Sequence, residues 1–127
     1  MPQRRVNVSS GSPFEDQVGY ARAVRTGPLV VVAGTTAPGD GIANQAREVF
    51  RRIEVALTEA GAAMTDVVRT RMFVTDISRW PEVAAVHAAV FGAIRPVATM
   101  VEVTALISPD LLVEIEVDAY LTDYEPD

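Results

Sequence analysis

Side chains in the segment Leu111–Leu121 alternate between apolar and polar. The apolar set occupies every second position: Val113, Ile115, Val117, Ala119 and Leu121. The positions between them carry Leu112, Glu114, Glu116, Asp118 and Tyr120. Because successive side chains of a strand point to opposite faces, this pattern predicts a strand with one buried face and one acidic face. The rest of the chain must therefore supply a sheet around this strand and cover for its apolar face.

Two segments with helical spacing could provide that cover. Apolar residues recur three or four apart along the first segment: Ile42, Ala46, Val49, Phe50, Ile53, Leu57 and Ala60. This stripe predicts an amphipathic helix that stops at Gly61. A second helix is predicted over Pro81–Phe91, with Ser78 as its N-cap and Gly92 at its end.

Apolar and β-branched runs predict the other strands. They are Gly19–Arg25, Val30–Gly34, Asp66–Asp76, Val97–Leu106 and, as a possible extra strand, Arg5–Val8. The turn residues Thr26, Gly27 and Pro28 favour a hairpin between the first two. In Asp66–Asp76, alternation assigns four residues to one face, namely Val68, Thr70, Met72 and Val74.

These elements predict one domain over residues 1–127, an α+β two-layer sandwich with two helices on one face of a mostly antiparallel sheet. The other face of that sheet is polar and includes Arg69, Arg71, Glu114, Glu116 and Asp118. The pattern alone leaves two interpretations open, a solvated face and a subunit interface in which the charges pair.

The amino-acid composition excludes several kinds of catalytic and binding chemistry. The chain has 127 residues, no cysteine, one histidine (His87) and no lysine, and its net charge is −6. The absence of cysteine excludes thiolate and disulfide chemistry, and a single histidine excludes a multi-histidine metal site, so no metal or other cofactor is predicted. The absence of lysine excludes a Schiff base. The negative charge argues against nucleic acid and anionic membranes as partners.

No apolar run approaches the roughly 20 residues that a membrane-spanning helix needs. The N-terminal arginines Arg4 and Arg5 are not followed by the apolar core of a secretory signal. The expected location is the cytoplasm.

Several separated segments together resemble the RidA/YjgF family of reactive-intermediate deaminases. They are Gly19–Arg25, Leu29–Gly34, Ala60–Ala62, Asp66–Asp76, Arg95–Val103 and Leu112–Glu116. The resemblance runs from about residue 17 to residue 121, in the family's order. It implies a chorismate-mutase-like fold and a homotrimer whose sheets line a central barrel, so that the polar sheet face becomes the interior of the trimer.

The resemblance also implies small-molecule clefts between subunits, in which known members hydrolyse imines and enamines to 2-keto acids and ammonia. By position, it assigns Glu114 to the hydrolytic water as the catalytic residue. It assigns Tyr20, Ala33, Gly34 and Thr99 to substrate binding. Ala98 stands where the deaminating members carry the arginine that anchors the substrate carboxylate. Arg95 is the nearest guanidinium in sequence and a candidate replacement.

The residues leave structural alternatives open. Tyr20 could be an ordinary strand aromatic, Glu114 a salt-bridge partner of Arg69 or Arg71, and Arg95 a surface residue. His87 is expected to pack in the core or an interface. The predicted function is a RidA-like hydrolase that acts poorly on 2-iminobutanoate. Whether the protein catalyses any reaction in the cleft stays open. The alternative is a metabolite-binding trimer without turnover, and an endoribonuclease is disfavoured.

Overall fold

The computed structural model describes residues 5–125. Within that range six strands form one sheet in the order β1-β2-β3-β6-β4-β5. The strands are β1 (Arg5–Val8), β2 (Ala23–Thr26), β3 (Leu29–Thr35), β4 (Val67–Val74), β5 (Val97–Glu102) and β6 (Val113–Tyr120). The pairing of β4 with β5 is parallel, whereas the other neighbours pair antiparallel. The predicted mostly antiparallel sheet is confirmed, and the possible extra strand at Arg5–Val8 is present.

The described residues form three α-helices: α1 (Pro13–Val18), α2 (Ile42–Glu59) and α3 (Trp80–Phe91). Helix α2 packs on β3 and β6 and against α3. Its buried face includes Val49, Ile53 and Leu57, none of which exposes any side-chain surface. Gly61 adopts a φ of 85° just beyond the helix, the left-handed conformation expected at that position. The two long helices therefore cover the apolar side of the sheet, as the stripe and the alternation of β6 predict.

The two ends of β3 differ in regularity. At its start, β2 and β3 form the predicted hairpin, with Thr26 opposite Leu29. Near its end the register with β6 shifts, because Val32 pairs with Val117 but Thr35 pairs with Ile115. Ala33 and Gly34 therefore lie opposite a single residue of β6, which is the arrangement of a β-bulge.

The alternation assigned to the strand Asp66–Asp76 is wrong at its start. Val67 is buried at 3% exposure, whereas Val68 is 46% exposed. The cause is a register shift between Val67 and Arg69 against β6, which leaves Val68 as the extra residue. From Thr70 onward the predicted face is correct, because Thr70, Met72 and Val74 are buried.

Other differences concern the ends of elements. The segment predicted as strand from Gly19 begins only at Ala23, since Gly19 is the left-handed C-cap of α1, a short helix the sequence analysis missed. Ser78 is not the N-cap of α3. It lies in the 3-10 turn Ile77–Arg79, where its backbone N–H donates to the Asp76 carboxylate at 3.0 Å. The last two strands are shorter than predicted, ending at Glu102 and beginning at Val113.

On the face away from the helices, the charged side chains pair with one another. Arg71 Nη1 lies 3.3 Å from Glu116 Oε1 and 3.5 Å from Asp118 Oδ2, and Arg69 Nε lies 3.9 Å from Asp118 Oδ2. These groups are partly exposed, so the pairs add little to the stability of one chain. Among residues 5–125, the ion pairs on this face do not include Glu114.

Candidate functional site

A cavity of about 830 Å³ opens at the end of the sheet where β3 ends and β6 begins. Its walls come from five parts of the chain: the loop Ser9–Ser12 with α1, the segment before β2, the end of β3, one side of α2, and the loop before β6 with the start of β6. Tyr20, Arg22, Gly34, Thr35 and Glu114 supply polar groups or close backbone at this cavity. It therefore combines a carboxyl group, a guanidinium and a phenol in one space.

Arg22 organises the polar side of the cavity. Its Nη1 donates to the Gly34 carbonyl at 2.9 Å and to Thr35 Oγ1 at 3.1 Å, and its Nη2 donates to the Tyr20 hydroxyl oxygen at 3.0 Å. The guanidinium carbon lies 5.4 Å from the centre of the Tyr20 ring, within cation–π range. Because the Tyr20 oxygen accepts from Arg22, the Tyr20 O–H remains a donor for a ligand.

The bulge in β3 explains how Glu114 reaches the cavity. The Glu114 carboxylate lies directly against the Cα of Gly34, so closely that a Cβ at that position would overlap Oε2. The backbone of Gly34 is not in the left-handed region, so what position 34 requires is space for the carboxylate. The Glu114 carboxylate can therefore occupy this position only because residue 34 has no side chain.

Glu114 is half-buried, and its pKa is raised above the ordinary value for a glutamate. Burial is the main cause, because it disfavours the charged form, and the like charge of Glu116 adds to it. The positive charge of Arg22 opposes the shift. A carboxyl group with a raised pKa exchanges its proton closer to neutral pH, which is what general acid–base catalysis needs.

A second carboxylate holds the cavity wall in place. Glu15 is buried at 8% exposure, and its Oε2 accepts hydrogen bonds from the backbone N–H of Ser10 at 2.9 Å and from Ser10 Oγ at 2.6 Å. These hydrogen bonds lower the pKa of Glu15 to about 2. Glu15 therefore stays ionised and fixes the Ser9–Ser12 loop against α1.

The predicted site residues separate into two groups. Tyr20, Gly34 and Glu114 line the cavity. Arg95, Ala98 and Thr99 do not: they lie at or just before β5, an edge strand of the sheet, and all three are exposed. Glu114 on β6 is two strand spacings from β5 and Gly34 on β3 is three, so the two groups are roughly 10 Å or more apart within one chain.

Two other predicted positions belong to the structure around the cavity. Ala33 lies in the bulge, and its N–H and carbonyl already have partners, Arg22 O at 2.9 Å and Thr35 Oγ1 at 2.8 Å. His87 packs between the rings of Phe50 and Phe91, and its Nε2 is 2.9 Å from Thr70 Oγ1. It is a core side chain, as expected, and burial lowers its pKa.

Arg22 and helix α1 were not predicted from the sequence. Both had signals: Tyr20 and Arg22 are two residues apart, the spacing that puts side chains on one side of an extended segment. Ser12, Pro13 and Gly19 are a usual N-cap, first-turn proline and C-cap glycine. The bulge that joins Gly34 to Glu114 had no comparable signal, since it depends on the register between β3 and β6.

Within the described residues, no group of three or more His, Cys, Asp or Glu side chains could hold a metal ion. In the same part of the chain, no helix is long and apolar enough to cross a membrane.

Fold and site together define a two-layer α+β protein with a carboxyl-bearing cavity at one end of its sheet. The protein-family model described as Endoribonuclease L-PSP matches residues 12–121. By this match and by the relatives below, the chain belongs to the RidA/YjgF family.

The crystal structure of Rv2704 from Mycobacterium tuberculosis, a member of the YjgF/YER057c/UK114 family, superposes with a TM-score of 0.91 at 70% identity and covers 92% of this chain and 99% of that one. The Streptomyces coelicolor protein SCO2049 is 38% identical, over 89% of this chain and 90% of the relative. The Salmonella typhimurium 2-iminobutanoate/2-iminopropanoate deaminase is 30% identical, over 76% of this chain and 83% of the relative.

Proposed function

We propose that this protein hydrolyses a small imine or enamine, or a related carbonyl compound, in the cavity around Glu114, and that it works as a homotrimer with this cavity at each subunit boundary. The observation that carries the proposal is the carboxyl group of Glu114, which has a raised pKa and lies in a cavity together with the guanidinium of Arg22. That a 30% identical relative is named as an imine deaminase supports the same reaction class.

Hydrolysis of an imine moves both protons of one water molecule to nitrogen. In the first step the Glu114 carboxylate takes a proton from water as the water oxygen adds to the carbon of the C=N bond, the π electrons move to nitrogen, and Glu114 gives that proton to the nitrogen. In the second step the Glu114 carboxylate takes the hydroxyl proton of the carbinolamine and passes it to the amino nitrogen as the C–N bond breaks. Ammonia leaves, the carbonyl compound forms, and Glu114 is again a carboxylate.

Tyr20 is suited to hold the substrate during these steps. Its oxygen accepts from Arg22 Nη2, which orients the O–H and makes it a better donor. The phenol can therefore donate to an acceptor on the substrate, while Glu114 acts on water beside it.

The separation of the predicted residues within one chain supports the trimer. One chain holds Tyr20, Gly34 and Glu114 around the end of β3 and the start of β6, and holds Ala98 and Thr99 on the edge strand β5. A neighbouring copy that presents its β5 edge to the cavity would bring the two groups together. The paired charges around Arg71 then become an interface between subunits, where exclusion of water makes such pairs more favourable in Coulomb energy.

The test is an imine hydrolysis assay on the purified protein, in which loss of freshly generated imines of 2-oxo acids is followed against buffer. We expect acceleration of at least one imine, and a loss of about a hundredfold or more in Glu114→Gln, because general acid–base catalysis contributes about 10²–10⁴ in rate. Glu54→Gln is the control, since Glu54 is an exposed glutamate of α2 outside the cavity.

Other outcomes assign other functions. Binding of small acids without acceleration of any imine would overturn the hydrolase and leave a metabolite-binding trimer. RNA cleavage that copurifies with the protein and is abolished in Glu114→Gln would overturn it in favour of a ribonuclease.

A further inference from the structure

Arg22 carries a positive charge with no carboxylate partner at ion-pair distance among residues 5–125. Its three hydrogen bonds in this range use both N–H groups of Nη1 and one of Nη2. Because a guanidinium has five donors, Nε–H and one Nη2–H remain. The three bonds also fix the orientation of the group, so a ligand would not have to order a flexible side chain.

The other arginines at the cavity differ from Arg22. Arg51 Nη2 lies 2.6 Å from Glu48 Oε2, and Arg52 Nε lies 3.1 Å from the same oxygen. These hydrogen bonds lower the pKa of Glu48 to about 2, so the carboxylate stays charged beside both guanidinium groups. Arg22, in contrast, interacts with the carboxyl groups of Glu15 and Glu114 only beyond ion-pair distance, so its free N–H groups can receive an anion.

The mouth of the cavity is apolar, in contrast to the charged group of Arg22. Four exposed apolar side chains line it: Phe14, Val18, Val55 and Ile107. Val18 is 71% exposed and Ile107 is 69% exposed, high values for aliphatic residues at the edge of one concave site. The cavity therefore has a cationic floor and an apolar rim.

We propose that the ligand is an organic carboxylate with an extended apolar chain, whose carboxylate binds Arg22 and whose chain lies against the rim formed by Phe14, Val18, Val55 and Ile107. The proposal rests on the proposed function for its choice of this cavity as the ligand site. It places the anchoring cation before β2 of the chain that carries Glu114, whereas the anchoring position implied by the family resemblance is Ala98 on β5.

Size supports the chain. A volume of about 830 Å³ falls in the range of sites for drug-sized ligands, about 300–1,000 Å³, and a four-carbon acid fills little of it. Each additional CH₂ that the rim removes from water favours binding, by up to about fourfold when burial is complete.

The experiment measures binding of stable keto acids to the intact protein by isothermal titration calorimetry, with 2-oxobutanoate, 2-oxooctanoate and methyl 2-oxooctanoate as probes. We expect 2-oxooctanoate to bind at least about tenfold more tightly than 2-oxobutanoate. Arg22→Gln should weaken binding of 2-oxooctanoate by about tenfold or more and leave the ester within about twofold, because only the carboxylate loses a charge-assisted hydrogen bond. Arg47→Gln, which removes an exposed charge elsewhere on α2, is the matched control.

The rim is tested with two isoleucines. Ile107→Ser should weaken 2-oxooctanoate severalfold and leave 2-oxobutanoate unchanged, whereas Ile77→Ser, at an exposed position outside the cavity, should change neither. Equal affinity for the two acids would overturn the proposal, as would equal losses for acid and ester in Arg22→Gln, which is the result expected if Arg22 only supports the fold.

These outcomes separate this proposal from the proposed function. Carboxylate binding that depends on Arg22, without hydrolysis of any imine, would support the ligand class and overturn the hydrolase. Hydrolysis of imines with no preference for a carboxylate or for a long chain would support the hydrolase and overturn the ligand class.

Discussion

The region where β3 ends and β6 begins differs from the β5 edge of the sheet in what it offers to a ligand. The β2–β3–β6 end has a cavity, a half-buried carboxyl group and a guanidinium fixed by three hydrogen bonds. The β5 edge has Ala98, Thr99 and exposed valines, and these residues lie outside that cavity. Glu114 and Arg22 therefore belong to a different part of the chain from Ala98 and Thr99. In the proposed trimer, the site would consist of one half equipped with a carboxyl group and a guanidinium, and a second half from β5 of a neighbouring copy.

The largest expected effect comes from Gly34→Ala, at the equipped half. The new Cβ would overlap the Glu114 carboxylate, which is the flexible end of a side chain and can move away without unfolding the protein. We expect imine hydrolysis to fall by about a hundredfold or more, as general acid–base catalysis would be lost. Rate measurement beside a melting curve separates this effect from a loss of stability.

A double variant makes the result specific. Because both changes act through the same carboxylate, Gly34→Ala should cost little further activity in a Glu114→Ala background. Independent, multiplying losses in the double variant would show that Gly34 acts otherwise than by seating Glu114.

A second effect is expected from Val97→Asp, at the β5 edge. Val97 is 61% exposed and lies opposite Arg69 in the register of β4 and β5, on the side of the sheet that carries the ion pairs. If this edge meets a neighbouring copy, a charge there should dissociate the trimer and reduce hydrolysis by tens of fold. Light scattering after gel filtration measures the mass.

Ala89→Asp is the control for this substitution, because Ala89 is exposed on α3, in the helical layer. If the wild-type protein is already monomeric, or if the Val97→Asp variant remains trimeric, the β5 edge does not form part of the site.

A smaller effect is expected from Ala98→Arg, which would add a guanidinium to the β5 half of the proposed site. If the β5 edge of one copy closes the cavity of another, the added guanidinium can hold the carboxylate of a short imino acid. We expect hydrolysis of 2-iminobutanoate to rise about tenfold, and the gain to disappear in Ala98→Arg/Glu114→Ala. An unchanged rate in a protein that remains trimeric would mean that residue 98 does not face the ligand.

Much of the fold could be predicted because its elements are specified locally. The stripe of α2 and the alternation of β6 each follow from burial of one side of a single element. The errors have non-local causes: Val68 is exposed because β4 shifts its register against β6, and Gly34 is tied to Glu114 by the bulge between β3 and β6. For Arg22 the signal was incomplete: Tyr20 is only two residues away, but its other two partners, Gly34 and Thr35 on β3, are brought to it by the folded chain.

The smallest expected effect is a shift in the pH dependence of activity. Its direction depends on which charged neighbour of Glu114 is removed. The like charge of Glu116 raises the pKa of Glu114, whereas Arg22 lowers it. If the ionised Glu114 is the base, activity rises with pH through its pKa. Glu116→Gln should therefore move the acidic limb of the kcat/KM profile to lower pH, and Arg22→Gln should move it to higher pH. Profiles of both variants, recorded on the same imine, check the two directions, and a limb that stays in place in both would mean that a group other than Glu114 controls it.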